Sequence, residues 1–377
     1  MSELIPIMIF SVAMAYLSHC SSEYYTLENK YGRKDWVFFT LMAVGMILFA
    51  GLRTSYNDTG TYLGGYQHIS PDVGVFEDIN WTKIGGNPGF WVTNRILVKL
   101  GAAPQTFLMF YSTVTVGIYL WFVRKYSCNL PLSIFMLFTF AGFVFTLAAI
   151  KQCMAIALCL IATDRAINKK YLSFLLFVLL ASLYHPYALM YLAVPFLTFR
   201  PWSYKTAFMI GAFGLAGVLL QSMLGGILNV TDMLGEGYDA SSFQGEGVNP
   251  FRLMAVSVPV VLSFLTRDSI AREGDKKQYI ILNLTMLNAE IMFVALFGTA
   301  NYFARLANYF LPFQAITIPW LFTHFDQKSK RFLTGAAVVC YFLFAAYEHT
   351  LSLGGGFDAQ FSSMSLWEYL EILFQGG

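Results

Sequence analysis

The sequence predicts an all-α polytopic membrane protein of about twelve transmembrane helices, because apolar runs of the roughly 20 residues needed to cross a bilayer recur from end to end. Two further observations support that class. The 377 residues are 57% hydrophobic, with a mean hydropathy of +0.57, and only 12% are charged. A soluble domain is roughly 25% charged. The basic residues also rise and fall in number from one turn to the next, as they do in a chain threaded repeatedly through a membrane. The net charge of +2 says little about partners, because the sidedness of the charge matters more than its sum; no nucleic-acid partner is expected.

In chain order, the expected spans cover residues 3–19, 35–52, 104–123, 130–148, 149–165, 171–184, 186–200, 206–224, 250–266, 278–298, 302–323 and 332–350. The first has neither a basic leader nor a small-residue cleavage site, so it is expected to be a retained span rather than a signal peptide. Alternate turns carry at least two basic residues each: Lys30, Arg33 and Lys34; Arg124 and Lys125; Arg165, Lys169 and Lys170; Arg200 and Lys205; Arg267, Arg272, Lys276 and Lys277; Lys328, Lys330 and Arg331. The positive-inside rule puts this set in the cytoplasm and both termini outside. The other turns hold only Arg53, Lys83, Arg95, Lys99, Lys151, Arg252 and Arg305. Residues 1–350 are expected to form a single transmembrane domain, with 351–377 an outer tail. The stretch Leu370–Gly377 resembles a viral cysteine-protease recognition site of the kind added for purification, and it is set aside from the functional argument.

Two outer segments are longer than simple turns. The loop 53–103 contains the turn signals Asn57-Asp58-Thr59-Gly60 and Gly85-Gly86-Asn87-Pro88-Gly89, with a short interfacial helix expected around Phe90-Trp91 to Lys99. The second runs over 225–249 and is rich in Gly, Asp and Glu. Long loops on a compact bundle are commonly lids or binding loops.

The sparse outer cations cluster at the ends of the expected spans. Arg53 closes the second, Lys151 opens the fifth with Gln152 beside it, and Arg252 opens the ninth. Arg305 sits one turn into the eleventh, sharing a helical face with Asn301 and Asn308. A cation at the hydrocarbon boundary is costly unless it meets a counter-ion. A lipid headgroup phosphate, above all a pyrophosphate, supplies one: Arg grips phosphate with a planar fork, Lys as a point charge. Acid–base candidates on the same face are Asp58, five residues after Arg53, and His185, in a very short turn before Pro186. His68 and His349 also fall outside but are not acid–base candidates. Glu290 lies deep in the tenth span, and an intramembrane carboxylate suggests function. The five cysteines show no metal or disulfide spacing, and no nucleotide fingerprint or metal-binding motif is visible. No cofactor is therefore expected, and the substrate is expected to reside in the membrane already.

Four segments together resemble one family. Gly51-Leu52-Arg53 with Asp58 and Tyr62, then Asn87-Pro88-Gly89-Phe90, resembles the opening of the EpsG-like branch of Wzy-type polysaccharide polymerases. Ile150-Lys151-Gln152 resembles its Ile-Arg-Gln segment, Tyr184-His185-Pro186 its His-containing turn, and Arg305 through Tyr309-Phe310 its Arg-x-x-x-Tyr-Phe span. Two departures stand out: the family's usual Arg is Lys151 here, and its Asp-Tyr pair is Asp58-Thr59, with the aromatic displaced to Tyr56 or Tyr62.

The resemblance implies a glycosyltransferase of exopolysaccharide, capsule or O-antigen synthesis. It would join undecaprenyl-pyrophosphate-linked oligosaccharide repeat units at the outer (periplasmic) face of the bacterial cytoplasmic (inner) membrane, with the lipid bilayer and a chain-length regulator as partners. It also implies the large multi-helix architecture of lipid-linked sugar transferases. On that reading Arg53, Lys151, Gln152, Arg305 and, more weakly, Arg252 bind pyrophosphate, with Tyr62 and Asn308 as substrate contacts. His185 or Asp58 is the catalytic base, His185 being favoured for its near-neutral ordinary pKa. A transferase adding one sugar from a polyprenyl phosphate, and a transporter or flippase of lipid-linked oligosaccharides, are the alternatives. The first would need fewer cations, the second a charged path through both leaflets and a midplane site with broken helices.

Overall fold

The computed structural model describes residues 1–22, 35–81, 84–235, 248–297, 300–352 and 356–375. Lys30, Arg33, Lys34 and Lys83, residues 236–247 of the second long outer segment, and the side chain of Asn301 lie outside the described residues. The chain is all-α apart from one short two-stranded ribbon. Helices α1 (Leu4–Ser21) and α2 (Val37–Gly51) lead into strand β1 (Arg53–Ser55), α3 (Thr59–Gln67) and α4 (Pro88–Lys99). The centre is made by α5 (Pro104–Tyr126), α6 (Leu130–Thr139), α7 (Gly142–Ala148), α8 (Ile150–Ile167), α9 (Tyr171–Ser182) and a 3-10 helix, Pro186–Phe196. Then come α10 (Tyr204–Val218), α11 (Leu220–Leu234), α12 (Pro250–Leu265), α13 (Arg267–Glu273), α14 (Lys276–Val294), α15 (Ala300–Asn308) and α16 (Leu311–Leu321). Last are α17 (Gln327–Tyr347), prolonged by a π turn at Glu348–Ser352, α18 (Gly356–Gln360), β2 (Ser362–Ser363) and α19 (Leu366–Gln375).

The expectation of about twelve spans is corrected. Among the described residues only three helices are long and apolar enough to cross a membrane: Leu4–Ser21, Pro104–Tyr126 and Gln327–Thr350. The number rises to five if two bent pairs each count as one, α6 with α7 (48°) and α12 with α13 (68°). The reason is that the apolar runs are not straight helices. Ala141 takes a left-handed conformation (φ 59) between α6 and α7, and Ala149 (φ −115, ψ 70) breaks the chain again before α8. The expected span 186–200 is an 11-residue 3-10 helix bounded by Pro186 and interrupted by Pro195. The expected span 302–323 divides at Tyr309-Phe310, just before Pro312, into helices of 9 and 11 residues. A 12-residue helix such as α9 is about 18 Å long, well short of a roughly 30 Å hydrocarbon core.

Packing is nonetheless continuous. Buried apolar side chains from Leu4 to Phe361 form one connected core. α8 packs on α5 and α9, α2 on α1 and α5, and α14 on α10, α12, α15 and α16. Buried amides bind the second half. Asn288 donates to the carbonyl of Ala307 at 2.7 Å, and Gln314 donates to Asn288 Oδ1 at 2.9 Å. Satisfied polar links of this kind fix which helices pair, because an unpaired amide in the core is costly. Glu290 is buried in α14, and neither carboxylate oxygen has a hydrogen-bond partner among the described residues.

Two ends of the bundle are distinct. At one, β1 pairs antiparallel with β2, Met364 N–H donates to the Leu52 carbonyl at 2.9 Å, and Asp358 binds the amino group of Met1. At the other, Lys125 pairs with buried Asp164 at 2.5 Å, and Arg124 lies 3.9 Å from the Trp36 ring and 4.0 Å from the Phe39 ring. Short broken helices near the first end carry the candidate site.

Candidate active site

The site begins with a backbone contact. Asn87 is left-handed (φ 54), and Pro88 starts α4 at a position where its missing N–H costs nothing. Gly89 then donates its N–H to the Leu183 carbonyl at 2.8 Å. A Cβ on Gly89 would lie 2.9 Å from Leu183 Cβ, so only glycine permits this approach. The contact pins α4 against the turn holding His185. Two further bonds bring in the second half of the chain. Gln152, in the first turn of α8, donates to the Arg305 carbonyl at 2.5 Å, and the Tyr191 hydroxyl donates to the Tyr309 carbonyl at 2.7 Å.

On this frame the structure gathers Tyr62, Lys151, Gln152, His185 and Arg305. Lys151 Nζ lies 5.7 Å from the centre of the Phe90 ring, within cation–π range. Phe90 meets Tyr62 edge-on at 5.9 Å. The Tyr62 hydroxyl receives the Lys151 backbone N–H, and burial and the Asp58 charge hold it above the ordinary phenol range while Arg305 pulls the other way. His185 is 9% exposed, and its Nδ1 lies 3.0 Å from the Tyr309 hydroxyl. Burial pushes the imidazole well below its ordinary value, to about 3, and the Arg305 and Lys151 charges push the same way. At neutral pH the ring is therefore uncharged, beside two cations. Arg305 is exposed and Lys151 half-buried.

Of the remaining expected residues, Arg53 and Asp58 act on Tyr62 from the adjoining loop, whereas Arg252 and Asn308 line another cavity. Arg53 is only 1% exposed. Its Nε donates to Thr59 at 3.1 Å, and its Nη1 donates to Ser112 at 3.2 Å and to the Ala50 carbonyl. Burial lowers its guanidinium to about 10, so it stays charged. These bonds tie it to α2, α3 and α5. Asp58 is exposed at the start of α3, with no side-chain cap to the helix. Arg252 donates through both Nε and Nη2 to Glu348, and with Asn308 it lines a separate, largely apolar cavity of about 130 Å³. Among the described residues, no group of three or more His, Cys, Asp or Glu is placed to hold a metal ion.

Sequence reasoning missed two partners. Tyr309 stands one turn beyond Arg305, where the Arg-x-x-x-Tyr spacing singled it out, but its contact with His185 depends on packing across 124 positions. Glu348 gave no signal, because the acid it supplies to Arg252 follows a long apolar helix.

No curated protein and no solved structure matches the chain. A model of the EpsG family matches residues 36–369, a stretch that contains every segment of this cluster. In general terms that makes the protein a membrane-associated, Wzy-type glycosyltransferase of polysaccharide biosynthesis. By this match over most of its length, the chain belongs to the EpsG family.

Proposed function

We propose that the chain polymerises undecaprenyl-pyrophosphate-linked oligosaccharide repeat units at the outer face of the bacterial cytoplasmic membrane. One observation carries the reading: His185 is buried with Nδ1 3.0 Å from the Tyr309 hydroxyl, and it feels the charges of Arg305 and Lys151, two cations from elements far apart in sequence. Transfer needs this combination. The acceptor hydroxyl attacks the anomeric carbon of the donor. The bond from that carbon to the pyrophosphate oxygen breaks, and its electron pair stays on the leaving group. The hydroxyl proton passes to His185 Nε2, because Nδ1 faces Tyr309. Lys151 and Arg305 stabilise the charge growing on the leaving pyrophosphate, Arg305 with its fork and Lys151 as a point charge.

Binding itself tunes the base. An anionic pyrophosphate offsets the two cations that depress His185, so the imidazole gains proton affinity as the donor settles. Gln152 holds the Arg305 backbone in register. On this reading Asp58 contacts the acceptor sugar, which its exposure one helical turn from Tyr62 supports. Arg53 shapes the loop beneath them. The outer orientation of this end is supported by Arg124 and Lys125 gathering at the other.

Purified protein supplied with lipid-linked repeat units tests the reading, with product length followed by gel. Ladders of lengthened chains are expected. Arg305→Ala and Lys151→Ala should each slow extension on the order of 10²-fold, as loss of one transition-state donor does. Lys151→Arg should stay active and Arg305→Lys should not, because an ammonium lacks the planar fork. Normal extension by Arg305→Ala would sink the proposal, and a product one sugar longer would indicate a single-sugar transferase.

A further inference from the structure

The helix that carries Arg305 is too short to hold itself in place. α15 has 9 residues, and isolated helices below roughly 12–15 residues are marginal. A helix end also leaves its last carbonyls without partners inside the helix. Here the chain tightens: the N–H groups of Tyr309 and Phe310 donate to the Leu306 and Ala307 carbonyls at 3.3 and 2.9 Å. Side chains then reach alternate carbonyls of the same turn. Gln152 of α8 donates to Arg305, Asn288 of α14 to Ala307 at 2.7 Å, and Tyr191 of the 3-10 helix to Tyr309. All three donors are buried, and each comes from a different element.

Asn288 differs from the other two donors because its own direction is set from behind. Gln314 in α16 uses both hydrogens of its amide, one on the Val256 carbonyl of α12 at 3.3 Å and one on Asn288 Oδ1 at 2.9 Å. The carbonyls at the two ends, Val256 and Ala307, can only accept. Each amide therefore has one workable orientation, since turning either would set oxygen against oxygen. Gln314 Oε1 is left buried without a partner among the described residues, a cost that the fold bears in presenting both hydrogens. The relay runs from α12 through α16 and α14 to α15, and it ends two residues from Arg305.

We propose that Asn288, oriented by Gln314, is a positioning residue for the transfer site: it holds the end of α15 so that Arg305 keeps its place near His185. The role of Arg305 in transfer rests on the polymerase reading; the hold on α15 does not. Small displacements matter at such a site, because a misplacement of about 1 Å can slow a reaction on the order of 10²-fold. Loss of one anchor among three is expected to cost less, about tenfold.

The double variant Asn288→Leu/Gln314→Met gives the test. Replacing both buried amides by apolar groups of similar size leaves neither one unpaired, so stability should stay near that of the wild type. In purified full-length protein, kcat for chain extension should fall about tenfold while KM changes less than about twofold. In an Arg305→Ala background the same pair should cost less than about twofold, as it must if the amides act through Arg305. Equal losses in the two backgrounds would overturn the proposal. Hydrogen–deuterium exchange followed by mass spectrometry reads the hold on α15 without any activity. Residues 302–313 should exchange about tenfold faster in the double variant, with α5 unchanged, and unchanged exchange over 302–313 would also overturn the proposal. If the wild-type protein extends no chains, faster exchange in the variant leaves the hold standing and refutes only the polymerase reading. Gln314→Met alone keeps the Asn288 donor but lets it turn. It should show the same two changes at about threefold, and it decides the matter should the double variant fail to fold.

Discussion

His185 and Tyr309 lie 124 positions apart and meet at 3.0 Å. The Tyr309 hydroxyl also lies 3.5 Å from the His185 carbonyl oxygen, which can only accept. When the hydroxyl points there, Nδ1 carries the imidazole proton and Nε2 keeps its lone pair for the acceptor. Tyr309→Phe should therefore lower kcat about tenfold with KM little changed, while His185→Ala should lose on the order of 10²-fold, the usual worth of a positioned base. The pH dependence has a definite sign. Burial, and after it the Arg305 and Lys151 charges, disfavour imidazolium, so the acid limb of kcat/KM should fall well below the ordinary histidine value. Removing one of those charges in Lys151→Gln should move that limb to higher pH in the residual activity. Arg53→Ala tests a different role. It deletes three hydrogen bonds from a buried cation, and a stability loss of about 2–3 kcal/mol is expected as a lower thermal midpoint of the purified protein. The candidate cations were legible because outer basic residues are scarce. Which of them meet was not, since Arg53 and Arg305 look alike in sequence and differ only in burial.

At the scale of elements, α4 is where sequence and structure agree most closely. Pro88 after a turn signal, followed by Phe90, Trp91, Ile96 and Leu97, predicts a short helix, and one forms over Pro88–Lys99. Its docking partner was hidden, because Leu183 is an ordinary apolar residue in sequence. Gly89→Ala would force a Cβ to within 2.9 Å of Leu183 Cβ and 3.1 Å of its carbonyl oxygen. A backbone carbonyl cannot yield as a side chain does, so a cost of about 1–3 kcal/mol is expected from this overpacking. Phe90 should shift from Lys151, and extension should slow while the helix content seen by circular dichroism stays unchanged. The broken helices were illegible for a related reason. Ala141 and Ala149 carry no turn signal, and only surrounding contacts hold them out of the helical region.

For the whole molecule, sidedness is the decisive measurement. Gly60→Cys, in α3 near the site, should react with an impermeant thiol reagent in whole cells stripped of any outer membrane. Asp275→Cys, the cap of α14 at the basic end, should react only after lysis. The reverse pattern would place the site on the cytoplasmic side and remove the lipid-linked repeat unit as its substrate.

The sequence by itself determined the membrane class, the family and the two chemically distinct ends, because hydropathy, charge and short motifs are properties of residues taken in order. Only the tertiary structure decided how many helices are long enough to cross and which cations share a site. Breaks at Ala141, Ala149 and Phe310 depend on φ and ψ set by neighbours. The bonds from Gln152 to Arg305 and from Tyr309 to His185 join segments whose separation in the chain conceals their proximity. A one-dimensional pattern records how apolar a segment is; where it bends and what it touches depend on packing against the rest of the fold.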